Sequence, residues 1–440
     1  MAGLDAAGPQ AQPGGGVAVR GRWIGVILLT LAYIMNFLDR QILAVLIEPI
    51  KAEMQLSDTQ VGLLTGTLFA VFYSCVTLPI AMLADRWNRI RIVAAACFLW
   101  SFFTLLTGFA ASFALLAVAR IGVALGEAGG VAPSLSIMSD YFPPARRVLA
   151  VALFTCATPM GLMLGVVGGG LIASAYDWRV AFYVAGGIGL VLAPLLYWLG
   201  PEPPRGNYEV RPRGDAMPFL AVARLFIASP TLRWMALASG LFAISANALV
   251  TWMPALLMRG YGASPQQVAL YYGPVVGVAL MVGLFASGGI IARFVGKSAR
   301  AYATVPAVAT LICAPLTGLA LMSDSWQMVL VWSAIPIALL NFPVPPALTV
   351  VQNLAPPEAR STASAMLMLV LNLIGIGLGP LLVGAMSDLF AAGQGKDSLR
   401  LAMIATMVPV MVLTALALWM AGRTIEAEHA AADGAAEQNP

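Results

Sequence analysis

The sequence predicts an all-α integral membrane protein with twelve transmembrane helices arranged as two six-helix bundles. Hydrophobic residues make up 60% of the 440 residues and charged residues only 10%, whereas a soluble domain has about 25% charged residues. Twelve apolar segments are long enough to cross a bilayer, which takes about 20 residues. One long connection, rich in Pro and Arg, divides them into six and six.

The apolar segments define the order of the chain. The predicted spans are 23–48, 60–83, 91–110, 114–139, 148–173, 180–199, 233–257, 267–292, 301–322, 327–353, 361–386 and 400–421. The predicted regions are a disordered N-terminal tail (1–20), an N-terminal bundle (21–200), a cytoplasmic linker (201–231), a C-terminal bundle (232–422) and a C-terminal tail (423–440).

The positive charges predict the orientation of these spans. With the N-terminus inside, most of the 24 Lys and Arg residues fall in cytoplasmic loops and tails, as the positive-inside rule requires. Both termini are therefore expected in the cytoplasm, and the composition favours a bacterial inner (plasma) membrane. The same distribution explains the net charge of +4 without a nucleic-acid partner.

Twelve helices in two halves are typical of secondary transporters, which bind their substrate near the membrane midplane between the halves. The sequence shows no catalytic constellation, so we do not expect an enzyme. The single histidine, His429, lies in the polar tail, and the four cysteines lie in apolar segments. No metal, cofactor or disulfide framework is therefore predicted. We expect a monomer surrounded by membrane lipid; the alternative is a membrane sensor of the same fold that transports nothing.

Four charged residues lie inside spans of the first half, where an Asp or Arg near the bilayer centre costs about 2.5 to 3.5 kcal/mol. Asp39 and Arg40 are adjacent in "NFLDRQ" of span one, and Arg120 and Glu127 are seven apart in "RIGVALGE" of span four. The latter two share one helix face. Charges at this depth usually mark a substrate or ion pathway. A static packing quartet is the weaker alternative, because buried ion pairs add little stability.

The chemistry of these residues divides their expected roles. Arg40 is the expected anion binder, because a guanidinium grips a carboxylate or phosphate bidentately and keeps its charge. Arg120 is either a second anion contact or the partner of Glu127. Glu127 and Asp39 are the candidates for proton coupling, since a carboxylate shielded from water binds a proton more readily. Four neutral residues complete the predicted substrate-binding set: Tyr33, Asn36, Asn247 and Thr251.

The second half places its charges at loops and span ends. A cavity between the halves would then have a charged wall from the first half and an apolar, aromatic wall from the second. The expected aromatic residues of that wall are Phe242, Trp252, Tyr271 and Phe342. This asymmetry suits an amphiphile with an anionic head and a hydrocarbon tail. The alternative is that lipid-facing side chains account for the apolarity.

The loop between spans two and three, "AMLADRWNRIR" (81–91), resembles the signature loop of the major facilitator superfamily, Gly-x-x-x-Asp-Arg-x-Gly-Arg-Arg. Asp85, Arg86 and Arg89 stand at matching positions, while Ala81 and Asn88 replace the two glycines. The resemblance implies the superfamily's two-bundle fold and transport by alternating access. It also implies a cytoplasmic gating latch, in which the Asp caps a helix N-terminus and the Arg residues pair with carboxylates.

Three stretches of the first half are similar to the Spinster family of that superfamily: 36–89, 120–147 and "TPMGLMLG" (158–165). The Asp-Arg-x-Asn-Arg form of the loop is typical of that family. The resemblance implies proton-coupled transport of a lysophospholipid or a sphingosine-1-phosphate-like lipid, with Asp39, Arg40 and Glu127 as charged cavity residues. Proton-coupled symporters of organic or sugar acids share the Asp-Arg pair and a Gly-x-Gly-Glu-like motif, so an organic-anion substrate is the alternative.

Overall fold

The computed structural model describes residues 17–208, 217–295, 298–339, 342–356 and 358–437. Within these ranges the chain is helical and contains no strand, so the all-α prediction is confirmed. Most of the predicted N-terminal tail, and residues 209–216 of the predicted linker, lie outside the described residues.

The first half is built from ten helices. They are α1 (Arg22–Val45), α2 (Ile47–Met54), α3 (Asp58–Gly62), α4 (Leu68–Ala84), α5 (Arg89–Thr107), α6 (Phe113–Glu127), α7 (Val131–Tyr141), α8 (Pro144–Thr155), α9 (Ala157–Ala175) and α10 (Trp178–Leu199). A π-helical segment, Leu63–Thr67, joins α3 to α4.

The second half also contains ten described α-helices. They are α11 (Phe219–Ala228), α12 (Pro230–Tyr261), α13 (Pro265–Gln267), α14 (Gly273–Val295), α15 (Ala301–Leu321), α16 (Trp326–Ala338), α17 (Val344–Leu354), α18 (Arg360–Val370), α19 (Gly377–Gln394) and α20 (Ser398–Glu437). π-Helical segments Val268–Tyr272 and Leu371–Ile376 join α13 to α14 and α18 to α19. A 3-10 turn, Gly395–Asp397, precedes α20.

Among the described residues, ten helical stretches are long and apolar enough to cross a membrane. One stretch, 360–428, contains two predicted spans, and the predicted span 327–353 is divided between α16 and α17. The twelve predicted crossings are therefore consistent with the structure. α20 continues as a helix to Glu437, well into the predicted C-terminal tail.

The second helical crossing of each half begins in the same way. Ser57 caps α3 in a capping box with Gln60, and Ser264 caps α13 in a capping box with Gln267. In both cases the N-cap hydroxyl accepts a hydrogen bond from the N–H of the third helical residue, and the side-chain oxygen of that glutamine accepts one from the N-cap backbone N–H. A π-helical segment follows within six residues of each cap. The two halves thus repeat a local structure as well as a helix count.

α9 packs closely on α1 through glycines spaced four apart. A Cβ atom on Gly161 would lie 2.5 Å from the carbonyl oxygen of Ile34, and one on Gly165 would lie 2.7 Å from Cβ of Gln41. Small residues at this spacing let membrane helices approach each other closely. This contact fixes the part of α1 that carries Asp39 and Arg40.

Span four is broken in the middle of the bundle, at Ala128–Gly130 between α6 and α7. Gly126 and Gly129 let this region pack closely against α5. A Cβ on Gly126 would lie 2.5 Å from the backbone nitrogen of Trp100, and a Cβ on Gly129 would lie 2.8 Å from Cβ of Ala96. The break makes Glu127 the last residue of α6.

The two halves are joined at the end of the molecule opposite the linker, where residues 46–58 lie; we call this the far end. Arg259 of α12 forms ion pairs with Glu48 (Nη2–Oε1, 2.7 Å) and Asp58 (Nη1–Oδ2, 2.6 Å). Asp388 of α19 accepts hydrogen bonds from the backbone N–H groups of Asp58 (3.0 Å) and Thr59 (2.8 Å). Glu48, Asp58, Arg259 and Asp388 form what we call the far-end lock.

Close helix packing supports the far-end lock. A Cβ on Gly62 would lie 2.6 Å from the carbonyl oxygen of Pro380, and one on Gly384 would lie 2.3 Å from that of Asp58. The first and second halves therefore meet here backbone to backbone, through α3 and α19.

Also at the far end, the connection between spans one and two is fixed to α10. Glu53 accepts hydrogen bonds from Arg179 (Nη2 to Oε1, 2.6 Å) and from Trp178 (Nε1 to Oε2, 2.7 Å). These bonds hold the pKa of the Glu53 carboxyl at about 2, below its usual value. Glu53 therefore stays ionised near neutral pH.

At the opposite end, where residues 200–208 and α1 begin (the linker end), the halves are not tied together. Among the described residues, no hydrogen bond or ion pair joins one half to the other there. The space between the halves is thus closed at the far end and unlocked at the linker end.

Candidate functional site

α1 and α6 bring Arg40 and Glu127 into contact inside the bundle. The Arg40 guanidinium donates to Oε2 of Glu127 from Nη2 (2.6 Å) and Nε (2.7 Å). The Glu127 side chain is fully buried, whereas 20% of the Arg40 side chain is exposed. Glu127 ends α6, and a helix C-terminus also favours a nearby cation. The sequence left open whether Arg120 pairs with Glu127. In the structure, the partner of Glu127 is Arg40.

Arg120 lies near this pair without a polar partner of its own. Its side chain forms no hydrogen bond or ion pair with any described residue, and its Nε is buried without an acceptor. Its guanidinium carbon lies 4.8 Å from the centre of the Phe69 ring, and that of Arg40 lies 4.4 Å from the same ring. The buried ring attracts both cations by cation–π interaction, worth about 0.5 to 2 kcal/mol each.

Asp39 points to a different side of α1 from Arg40, as expected for adjacent helical residues. Its Oδ2 accepts a hydrogen bond from the Thr104 hydroxyl (2.8 Å), while its Oδ1 is buried without a donor. Asp39 and Arg120 both line a small void between α1, α5 and α6. Asp39 is therefore a buried carboxyl without an ion pair among the described residues.

A cavity of about 170 Å³ lies between the halves beside these charges. Arg40 and Arg120 line it from the first half, together with Phe37 and Phe69. The second half contributes neutral residues to the opposite wall, namely Ala246, Asn247, Val250, Thr251, Leu280, Ile376 and Pro380. Among the described lining residues, the cavity thus has two cationic groups on one side and only neutral groups on the other.

Two of the predicted substrate-binding residues lie elsewhere. Tyr33 and Asn36 line a smaller void nearer the linker end, bounded by Trp100 and Phe154. The Tyr33 ring stacks on Phe154 with centroids 4.4 Å apart. The structure therefore places Tyr33 and Asn36 beside the central cavity rather than in its wall, while Asn247 and Thr251 do line it.

The predicted aromatic wall of the second half is wrong for this cavity. Phe242, Trp252 and Phe342 are buried in the protein core, and Trp252 donates a hydrogen bond to the Pro380 carbonyl (3.0 Å). Tyr271 is exposed and lies against Trp326. The aromatic side chains of the cavity come from the first half instead.

The loop at 85–91 lies at the linker end, and its arginines have different surroundings. Arg89 is buried and pairs with Asp140 (2.5 Å) and Glu202 (2.8 Å), all within the first half and its connection to the linker. Asp85 and Arg86 are exposed. Asn88 caps α5 by accepting a hydrogen bond from the Arg91 N–H (2.9 Å), which gives a physical reason for Asn at this position.

The Asp85 side chain forms no hydrogen bond or ion pair with a described residue in this structure, in which the linker end is unlocked. We expect Asp85→Asn to disfavour the state closed at the linker end, because the amide can still cap a helix but lacks the negative charge that favours a helix N-terminus. A cysteine at Ala246 in the cavity wall should then react about two- to fivefold faster with an impermeant maleimide, since a charge at a helix N-terminus contributes about 0.3 to 1 kcal/mol. Asp324→Asn, at an exposed far-end loop, is the control; unchanged labelling in Asp85→Asn would contradict the latch role.

Two features of the site were not predicted from the sequence. Phe69 and Thr104 contact the charged groups, but a Phe or a Thr in an apolar span is ordinary and carries no signal of its own. Only the depth of the charged residues marks the site in the sequence, and their partners depend on how the helices pack.

Comparison with known proteins agrees with this architecture. The family model of the Major Facilitator Superfamily matches residues 29–380, most of the chain. The protein therefore belongs to that superfamily of multi-pass membrane transporters. An MFS-type efflux pump of Mycolicibacterium smegmatis is 30% identical over 404 residues, which cover 91% of this chain and 93% of the pump.

Two further comparisons define the branch of the superfamily. Protein spinster homolog 1 of Xenopus tropicalis is 30% identical over 403 residues, covering 87% of this chain and 76% of that protein. A crystal structure of a bacterial homolog to the human lysosomal transporter Spinster, inward-facing and unoccupied, superposes with a TM-score of 0.79 at 29% identity. That superposition covers 94% of this chain and 98% of the other. The protein is a transporter of the Spinster type.

Proposed function

We propose that this transporter moves a lysolipid-like amphiphile with an anionic head, such as a lysophospholipid or a sphingosine-1-phosphate-like lipid, by proton-coupled alternating access. One observation carries the proposal: Arg40 and Arg120 face a cavity between the halves, and the only carboxylate that either contacts among the described residues is Glu127. A phosphate or carboxylate in the cavity would meet one guanidinium without a partner and another that can exchange its partner.

The Arg40–Glu127 pair suggests how proton and substrate are linked. An anionic head that binds Arg40 displaces Glu127, which would then be a buried carboxylate without a counter-ion. Such a charge is strongly disfavoured away from water, so Glu127 takes up a proton as the substrate arrives. Release of the substrate reverses both steps, because Glu127 loses its proton and pairs with Arg40 again.

Asp39 is the second proposed proton site. It is buried beside Arg120, and the Thr104 hydrogen bond leaves its Oδ1 free. Protonation of Asp39 would remove the nearest negative charge on that side of Arg120 and leave its guanidinium for the substrate. In this proposal, protonation of Glu127 accompanies substrate binding at Arg40, and protonation of Asp39 leaves Arg120 available to the substrate.

The cavity volume of about 170 Å³ suits a head group rather than a whole lysolipid. We place the hydrocarbon tail along the neutral second-half wall towards the linker end. The same volume supports a second candidate, a proton-coupled symporter of organic or sugar acids, because a small anion would fit in it entirely.

We also propose that the linker end faces the cytoplasm of a bacterial inner membrane, with both termini on that side, and that the monomer is the working unit. Positive charges at the linker end support this orientation. Labelling of single cysteines at the two ends of intact cells tests it directly.

Transport in proteoliposomes distinguishes the two substrate classes. We expect a labelled lysophospholipid to be transported and its rate to rise when a proton gradient is imposed, whereas a labelled sugar acid should not be transported. Transport of the sugar acid alone would favour the organic-anion alternative, and no transport of any anion would favour the sensor.

In the same assay, Glu127→Gln should abolish the response to the proton gradient. The amide cannot take up a proton, yet it can still accept a hydrogen bond from Arg40, so folding should be preserved. We expect the dependence of the transport rate on pH to become flat. Glu358→Gln, in a loop at the linker end, is the control, and a pH profile of Glu127→Gln identical to that of the wild type would exclude Glu127 as the proton carrier.

A further inference from the structure

A second and larger groove lies on the outer side of the first half, away from the cavity between the halves. It has a volume of about 1010 Å³ and lies among α5, α6, α10 and the linker end of α4. It shares no lining residue with the central cavity. We call it the lateral groove and define it by Trp87, Arg91, Ala95, Gly126, Tyr197 and Trp198.

The mouth of the lateral groove combines an exposed cation with exposed aromatic rings. Arg91 is exposed in the first turn of α5, and its guanidinium carbon lies 5.5 Å from the Tyr197 ring centre. It makes no ion pair with any described carboxylate. Trp87 and Trp198 are 66% and 74% exposed beside it. Aromatic rings with Arg or Lys at one depth are typical of the boundary between lipid heads and acyl chains.

A second cation lies behind this mouth. Arg205, at the linker end, donates hydrogen bonds to the backbone carbonyls of Ala84 (2.8 Å) and Trp87 (2.5 Å). These bonds fix the turn that carries Trp87, so the mouth has a defined shape. They also place a positive charge at the turn that carries Trp87.

Deeper in the groove the lining becomes small and apolar. Ala95, Gly126 and Gly129 leave space there, and the exposed side chains of Phe98 and Leu99 continue the groove into the membrane region. Arg91 and Leu99 are eight residues apart in α5, a rise of about 12 Å. That is most of the thickness of one leaflet, about 15 Å of hydrocarbon.

We propose that the lateral groove binds one anionic phospholipid from the leaflet at the linker end. The phosphate contacts Arg91, with Trp87 and Trp198 at the level of the ester groups, and one acyl chain lies over Ala95. Positive charge at the mouth selects an anionic head, as basic pockets between membrane helices do. Gly126 lines this groove while Glu127, the next residue, contacts Arg40, so the lipid would lie behind the helix end that carries Glu127.

Native mass spectrometry of purified protein tests the proposal by counting retained lipids. Protein from vesicles with equal amounts of phosphatidylglycerol and phosphatidylcholine should retain one phosphatidylglycerol preferentially. Arg91→Ala should weaken this preference about fivefold, the effect expected for one cation at the membrane surface. Ala95→Phe should displace the lipid of either type by filling the groove, without changing Arg91.

Two controls locate the lipid. Arg146→Ala removes an exposed linker-end cation of α8 that does not line the groove. Thr251→Val changes a wall residue of the central cavity that does not line the groove either. Both variants should keep the retained phosphatidylglycerol. Equal retention of the two lipids by the wild type would overturn the proposal. Loss of the preference in Arg146→Ala would overturn it too, as would loss of the lipid in Thr251→Val.

Discussion

Arg40→Ala should lower the rate of transport of every anionic substrate by about thirtyfold or more. The variant removes the group that both Glu127 and the proposed substrate head contact, and truncating one partner of a buried, hydrogen-bonded charge pair costs about 2 to 5 kcal/mol. Arg40→Lys keeps the charge but loses the planar fork of two donors that contacts one Glu127 oxygen, so we expect a smaller loss. The measurement is uptake into proteoliposomes, with ligand binding followed by tryptophan fluorescence.

The same variant should also destabilise the protein, because it leaves Glu127 fully buried without its partner. Breaking a buried pair in this way costs about 3 to 5 kcal/mol. The double variant Arg40→Ala/Glu127→Gln should recover most of the thermal stability and none of the transport. Wild-type affinity for anions in Arg40→Ala would contradict the assignment, as would recovery of transport in the double variant.

Arg259→Ala should shift the protein towards a state open at the far end. Arg259 is the only described cation that pairs with both Glu48 and Asp58, and the Asp58 side chain is only 3% exposed. Loss of charge-assisted hydrogen bonds worth about 1.5 to 3 kcal/mol should change the ratio of the two states at least tenfold.

Spin labels measure this shift as a distance. Cysteines at the exposed residues Ala52 and Gln394 place one label on each half at the far end, in a background without the four native cysteines. Arg400→Ala is the matched control, because Arg400 lies at the same end but pairs with Asp397 inside the second half (2.9 Å). Identical distance distributions for Arg259→Ala and the wild type would show that the far-end lock does not hold the closed state.

The fold could be predicted from the sequence because several independent features of the sequence indicate it. The number of apolar segments, their lengths and the position of the basic linker each depend on many residues. An error in the predicted boundary of one helix therefore leaves the predicted fold unchanged. The break in span four was not predicted, since "GEAGG" reads equally well as close helix packing. Its position matters, because it leaves Glu127 at a helix end.

The charged residues of the candidate site could be predicted from the sequence, but the contacts between them could not. Arg40, Arg120, Glu127 and Asp39 are marked by the high cost of a charge in an apolar span. Whether Glu127 pairs with Arg40 or Arg120 depends on the rotation of α6 against α1, which the sequence does not encode in any short motif.

The prediction of an aromatic wall in the second half was wrong for a related reason. A span that is apolar on every side gives no indication of which face lines a cavity, which faces the core and which faces lipid. Trp252 and Phe342 could therefore not be assigned to a face before the packing of their helices was known.

The second crossing begins in the same way in both halves, which indicates that the halves descend from one duplicated unit. Ser57 with Gln60 and Ser264 with Gln267 keep the same cap and the same π-helical sequel, although the rest of the two helices has diverged. Halves that descend from one duplicated unit inherit the same hinge-like segment, and hence the same way of bending. Among the described residues, the buried charged side chains all belong to the first half. Duplication therefore preserved the local helix structure in both halves, while the charged site belongs to the first.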